Sequence, residues 1–284
     1  MGIENILEKL GLPPSSHYAE ISGGRDCQVY KVDTINASYA LRILPIHRHN
    51  EFIQEKKIID FAKANGVPVP EVTKVLSTEE YSVMLMEWAS GQTVFQELMD
   101  RPETADSLGY EFGKTQAIIN RITVPATFQK TENSWLSPSI EEEKVIGRIP
   151  KNELLHNFVH LDYHPLNVLT DGKKITAVID WINASIGDYR YDISRTFSLL
   201  RLEGVKHFKD DRVTLEQFET GWRKGYEEAA EPFDSLGYLS IFHAWSGLRL
   251  QTMLSNSLDE NTNVRITEWI AYWLNEFDES FASK

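Results

Sequence analysis

Apolar residues recur at helical spacing from the start of the chain, at Ile3, Ile6, Leu7 and Leu10, and predict a short amphipathic helix there. From Tyr18 to Trp88 the rhythm shortens to that of strands. CQVYKVD and SYALRIL are β-rich runs around the turn-like TINAS, and YSVMLMEW follows a second turn at STEE. Between them, residues 48–65 place Phe52, Ile53, Ile59, Phe61 and Ala62 close to helical spacing, with Gly66 as a stop. The predicted order is strand, strand, strand, helix, strand, strand, with Pro68 and Pro70 restricting entry to the fourth strand.

After SGQT the pattern lengthens into amphipathic segments near 92–120, 189–203, 214–230 and 236–256, with a last helix near 263–280. Two short strands are embedded among them. NVLT and ITAVID are joined around DGKK, where Asp-Gly is a hairpin signal. There is no internal repeat, low-complexity tract or long flexible linker, so the change of pattern at 88–92 reads as a hinge. The expectation is an α+β chain in two parts: residues 1–88, an antiparallel sheet with one helix, and residues 89–284, larger and mainly helical.

Composition narrows the classes. The 284 residues are 42% hydrophobic, enough for a sizeable core. The single cysteine, Cys27, permits no intrachain disulfide and fits a reducing cytoplasm. MGIENILEKLGLPP lacks the basic start and apolar run of a signal peptide, Ile6 stands where a myristoylation signal needs Ser or Thr, and no stretch reaches the ~18 apolar residues of a membrane span. A cytoplasmic protein without membrane attachment is expected. The net charge of −13 disfavours a polyanion such as nucleic acid as partner. That charge is uneven: residues 1–89 carry 12 acids and 9 bases of the total 42 and 29, leaving a net −10 for the remainder. Oligomeric state is not legible.

Two fragments invite chemistry. Gly113-Lys114-Thr115 looks like the end of a phosphate-binding loop, but Leu108 stands where that motif needs glycine, and the surroundings read as helix. HLDYHPLNVL, residues 160–169, admits two readings. On a regular strand His160, Asp162 and His164 would share a face and gather a metal as in a hydrolase. On a loop, Asp162 becomes a base and Asn167 a magnesium donor for phosphoryl transfer. Pro165 argues against a central strand. The hairpin around Asp171–Ile175 also brings Asn167 near Asp180, giving two hard oxygen donors that a metal triad would leave unused.

HLDYHPLN resembles the catalytic loop of the protein-kinase-like superfamily, and IDWINASIGDYRYDIS resembles, more narrowly, the aminoglycoside phosphotransferase family. The resemblance extends from about Ile21 to Thr196. It implies a two-lobed kinase-like fold, ATP and Mg2+ as cofactors, and a small-molecule hydroxyl as acceptor. By the same resemblance Asp162 is the base, Asn167 and Asp180 hold magnesium, and Ser22, Gly23, Gly24, Arg25 and Asp26 cover the phosphates. Arg42, paired with Glu55, grips the phosphates, the backbones of Glu87 and Trp88 meet adenine, and His164 takes the position of a lysine that touches the transferred phosphate. Asp188 and Asp192 brace the catalytic segment. Trp222, Tyr226, Trp245 and Trp269 read as core, with one or two left to line a substrate cleft.

Three departures stand out. Arg42 replaces the lysine of most kinases, Leu161 stands where relatives usually have glycine or arginine, and no APE-like segment follows IDW to dock a protein substrate. A catalytically weak nucleotide-binding pseudokinase therefore remains an alternative, as does, with less support, the hydrolase. The acceptor class is left open among an aminoglycoside, a macrolide, choline, a sugar and an amino alcohol. The acidic C-terminal part favours one that bears an amine.

Overall fold

The computed structural model describes residues 2–21, 27–125, 128, 138–208, 211–255 and 258–282. Its chain divides into two compact units: Met1–Gly91 with Thr176–Ile182, and Gln92–Ile175 with Asn183–Lys284.

The first unit opens with α1 (Ile3–Leu10), then β1 (His17–Glu20), β2 (Gln28–Asp33), β3 (Ser38–Pro45), α2 (His49–Ala64), β4 (Val72–Ser77) and β5 (Tyr81–Glu87). The strands form one antiparallel sheet in the order β1-β2-β3-β5-β4. Alternation along β3 sorts the faces. Leu41 and Ile43 join Val32, Val83, Leu85 and the Ile6, Leu7 and Leu10 stripe of α1 in one core. Arg42, between them in sequence, meets Glu55 and the Phe52 ring of α2. The sheet and its lateral helix are those that the spacing predicts.

The second unit contains β6 (Gln92–Thr93), α3 (Val94–Asp100), α4 (Ala105–Asn120), α5 (Ile140–Ile146), β7 (Asn157–Val159) and β8 (Val168–Thr170). The chain then passes through β9 (Ile175–Val178) into the first unit and returns for β10 (Ser185–Gly187), α6 (Tyr189–Ser198), α7 (Val205–His207), α8 (Arg212–Ala229), α9 (Leu239–Leu254) and α10 (Glu260–Ala282). The continuous segment expected over 92–120 is instead broken at Arg101-Pro102, since proline offers no N–H to continue α3. Short α5 and the β7–β10 pair go beyond the sequence expectations. Too few residues repeat in them for a periodicity to show.

Within this unit α4 and α8 cross at backbone contact. A Cβ on Gly113 would lie 2.0 Å from the Trp222 carbonyl oxygen, and one on Gly225 2.0 Å from that of Tyr110. Gly113-Lys114-Thr115 thus lies within a helix, and its glycine serves packing. A second core gathers Val145 and Ile149 with Ile241, Phe242, Trp245 and Phe277. Among the described residues no helix is long and apolar enough to cross a membrane.

Candidate active site

Two groups of candidate side chains are found, one in each unit. In the first, Arg42 Nη1 donates to Glu55 Oε1 at 2.5 Å, and both side chains are largely buried. Burial opposes the charge on Arg42, but Glu55, the Cys27 thiol and Asp180 outweigh it and hold the guanidinium more firmly protonated than usual. Asp180 Oδ1 lies 4.0 Å from Arg42 Nη2. Its backbone is left-handed, with φ 62, and the carboxylate is 42% exposed, so one face remains open to a ligand. Glu87 closes β5, and Trp88 follows it half-exposed. Both backbone N–H groups already have acceptors: Glu87 donates to Glu71 O at 2.9 Å and Trp88 to Ser38 O at 3.0 Å. Ser22, Gly23, Gly24, Arg25 and Asp26 lie outside the described residues.

In the second unit residues 160–167 form a loop between β7 and β8. The Asn167 N–H donates to His164 O at 2.8 Å and closes a turn over Pro165. No strand alternation therefore aligns His160, Asp162 and His164. Among the described residues no three His, Cys, Asp or Glu side chains are grouped to hold a metal ion.

The loop folds around Asp162. Asn167 Nδ2 donates to both Asp162 O (3.1 Å) and Asp162 Oδ2 (3.2 Å), and His164 Nε2 lies 3.5 Å from the same Oδ2. On the other side Arg195 Nη2 approaches Oδ1 to 3.8 Å. Burial alone would push the Asp162 carboxyl up, but His164, Arg195 and His160 together hold it well below the usual carboxylate range. Asp162 is thus an anion, 17% exposed, fixed on three sides. Beyond Asn167 the β8–β9 turn closes by its own chemistry. Asp171 Oδ1 accepts from the Lys173 and Lys174 N–H groups at 3.0 Å each, and Gly172 supplies φ 86.

A buried polar chain holds this loop from behind. Asp192 accepts the His160 N–H (2.9 Å), the Leu161 N–H (2.5 Å) and Asn120 Nδ2 (2.8 Å). Burial pushes its carboxyl up to about 6, against the opposing effect of those three donors, which leaves it ionised at neutral pH. Tyr226 donates to Asn120 Oδ1, Trp222 Nε1 to Gln116 Oε1, and Gln116 Nε2 to Thr196 Oγ1, whose hydroxyl donates to Tyr163 O. Asp188 instead caps α6 and, with Arg190, holds the segment before β7 through the Leu155 N–H and Glu153 O. Arg195, Asn120 and Gln116 are additions to the sequence reading. For the two amides a signal was present: Phe112, Gln116 and Asn120 recur every four residues, which puts both amides on the apolar stripe of α4.

An antiparallel sheet with one lateral helix, then a mainly helical unit whose loop presents Asp162 and Asn167 five residues apart, defines a protein-kinase-like α+β fold. Residues 17–231 match the model of the phosphotransferase enzyme family, APH, and the chain belongs to that family. Over 217 residues, 64% of this chain, it is 24% identical to hygromycin-B 4-O-kinase of Escherichia coli. That match spans 62% of the relative's length. Similar solved structures include a thermostable mutant of aminoglycoside phosphotransferase APH(4)-Ia in ternary complex with AMP-PNP and hygromycin B, with TM-score 0.63 and 16% identity over 96% of this chain and 97% of that one. Another is spectinomycin phosphotransferase, APH(9)-Ia, in complex with ADP and spectinomycin, with TM-score 0.59 and 16% identity over 96% of this chain and 94% of that one.

Proposed function

We propose that this chain is an ATP-dependent kinase of a small-molecule hydroxyl. Family membership, the curated relative's name and the nucleotides bound by proteins of the same fold support the reading. The observation that carries it is the Asp162 carboxylate, kept ionised and held by Asn167, His164 and Arg195 in a loop.

In this reading Asp162 orients the acceptor hydroxyl and takes its proton. A strongly acidic carboxyl is a weak base, which suits a loose transition state where the proton leaves late and orientation matters more than abstraction. Asn167 turns its amide nitrogen to Asp162, so its oxygen is the donor offered to Mg2+, with the half-exposed Asp180 carboxylate as the second. Two hard oxygens fit that ion, which when bound neutralises charge on the nucleotide phosphates. Arg42, fixed by Glu55, anchors those phosphates. Since the N–H groups of Glu87 and Trp88 are already bonded, contact with adenine falls to their carbonyl oxygens. His164 reaches the transferred phosphate from its place beside Asp162.

The acceptor is an amine-bearing alcohol, a class that includes aminoglycosides, as the net −10 of residues 90–284 favours. The test is ADP release from ATP and magnesium over a panel of hydroxylated amines and their neutral and anionic counterparts at low salt. Stimulation by amine-bearing alcohols is expected. Stimulation by neutral or anionic acceptors alone contradicts the acceptor class, and a pseudokinase would show no stimulated ADP release by any acceptor.

A further inference from the structure

Arg195 makes a contact that plays no part in the proposed reaction. Its Nη2 donates to Met253 Sδ at 3.1 Å and, on its other side, stands 3.8 Å from Asp162 Oδ1. All three groups belong to the second unit: Asp162 to the loop, Arg195 to α6 and Met253 to the last turn of α9. Arg195 is buried, whereas Met253 is 47% exposed, so one guanidinium links a solvent-accessible side chain to the carboxylate.

A thioether sulfur is a weak acceptor and competes little with a carboxylate for the same nitrogen. Burial opposes the charge on Arg195, Arg249 adds to that cost, and Asp162 and Glu203 return part of it. The guanidinium therefore gains from a stronger acceptor within reach. Oxidation of methionine supplies one, because the sulfoxide is polar where the thioether is apolar. Its oxygen would be bonded to the sulfur that Nη2 already touches, and would draw the guanidinium off Asp162 Oδ1.

Resting on the kinase reading above, we propose that Met253 is an oxidation site through which hydroperoxides lower phosphoryl transfer, Arg195 carrying the change to Asp162. In the modifying step the Met253 sulfur attacks one peroxide oxygen, an S–O bond forms and the O–O bond breaks. With hydrogen peroxide, the proton on the transferred oxygen passes to the departing hydroxide, which leaves as water. Sulfur loses two electrons and the peroxide gains them. Released from Arg195, the Asp162 carboxylate loses one of the three groups that fix its orientation, and misplacement of a reacting group is costly in rate. The other methionines provide the comparison. Met84 and Met86 are buried in β5, whereas Met99 on α3 is 48% exposed and is not among the residues that hold Asp162.

The test treats the full chain with hydrogen peroxide, quenches with catalase and adds dithiothreitol to reverse cysteine sulfenate and disulfide. Peptide mass mapping should find one added oxygen on Met253 and on Met99, and little on Met84 or Met86. With an acceptor that stimulates ADP release, kcat should fall at least about tenfold in wild type and in Met99→Leu, while the KM for ATP changes little. Methionine sulfoxide reductase should restore it. Met253→Leu and Met253→Gln should each keep their own untreated rate after peroxide, and Met253→Gln, whose amide oxygen imitates the sulfoxide, should start lower. Circular dichroism melts verify folding, and either folded variant decides the outcome. The carboxyl ¹³C signal of Asp162, assigned by its loss in Asp162→Asn, needs no turnover. It should shift on oxidation of wild type and stay in place in a folded Met253 variant. No oxygen on Met253, equal loss of rate in wild type and a folded Met253 variant, or an unmoved Asp162 signal in oxidised protein overturns the proposal. If no acceptor stimulates ADP release from the untreated chain while the Asp162 signal shifts, the oxidation site stands and the kinase reading is what fails.

Discussion

Leu161 carries the clearest sign of what the loop costs. It is fully buried with φ 64, a conformation that costs a non-glycine residue about 1–3 kcal/mol and persists only where its surroundings enforce it. Asp192 supplies that enforcement through two adjacent backbone N–H groups. Asp192→Asn keeps the shape but sets an amide donor against N–H donors, so the variant should lose about 2–4 kcal/mol of stability in urea unfolding. Turnover should fall while affinity for nucleotide changes little. As candidates, Asp162, Asn167 and Asp180 were legible because phosphoryl transfer would demand particular side chains at particular spacings. Arg195 was not, since an arginine on an amphipathic helix ordinarily faces water and only tertiary packing places it beside a carboxylate. His243 is a second buried titratable group, packed at 4.9 Å from Phe197 and 4.4 Å from Trp273, and burial pushes it down to about 3. Because the unfolded chain takes up that proton near pH 6.5, stability is complete above this value and falls as the pH drops toward 3. His243→Phe should remove that part of the acid loss, on the order of 3 kcal/mol at pH 4, in melts compared with wild type from pH 7 to pH 4.

At the scale of elements, the crossing of α4 and α8 sets where the loop's polar chain can form. Gln116 and Asn120 reach Thr196 and Asp192 only because glycines let the two helix backbones meet. Gly113→Ala would drive a methyl into the Trp222 carbonyl and should destabilise by about 3 kcal/mol, measured as a lowered urea midpoint. Ser→Ala changes on exposed helix faces should move that midpoint little. Long helices and the five-stranded sheet were readable because each repeats its period several times. The break at Pro102, the three-residue strands β7 and β10 and the helix α5 carry too few repeats, and pairing with distant strands or capping by Ser139 and Glu142 decides them.

For the whole molecule, the proposed division of labour assigns phosphate anchoring to Arg42 and base chemistry to Asp162. Arg42→Ala should raise the KM for ATP and lower kcat/KM by roughly 10–100-fold, the scale of a charged hydrogen bond, whereas Arg42→Lys should retain part of the activity. Wild-type kinetics in the alanine variant would remove Arg42 from the site. The most direct measurement titrates magnesium and nucleotide into Asp162→Asn and Asp180→Ala, followed by phosphoryl transfer. Asp162→Asn should still bind MgATP while transfer falls by about 10²–10⁴, the scale of general-base assistance. Asp180→Ala should weaken nucleotide binding far more with magnesium than without it. Loss of metal binding in Asp162→Asn with full retention in Asp180→Ala would contradict the kinase-like assignment of residues 160–169.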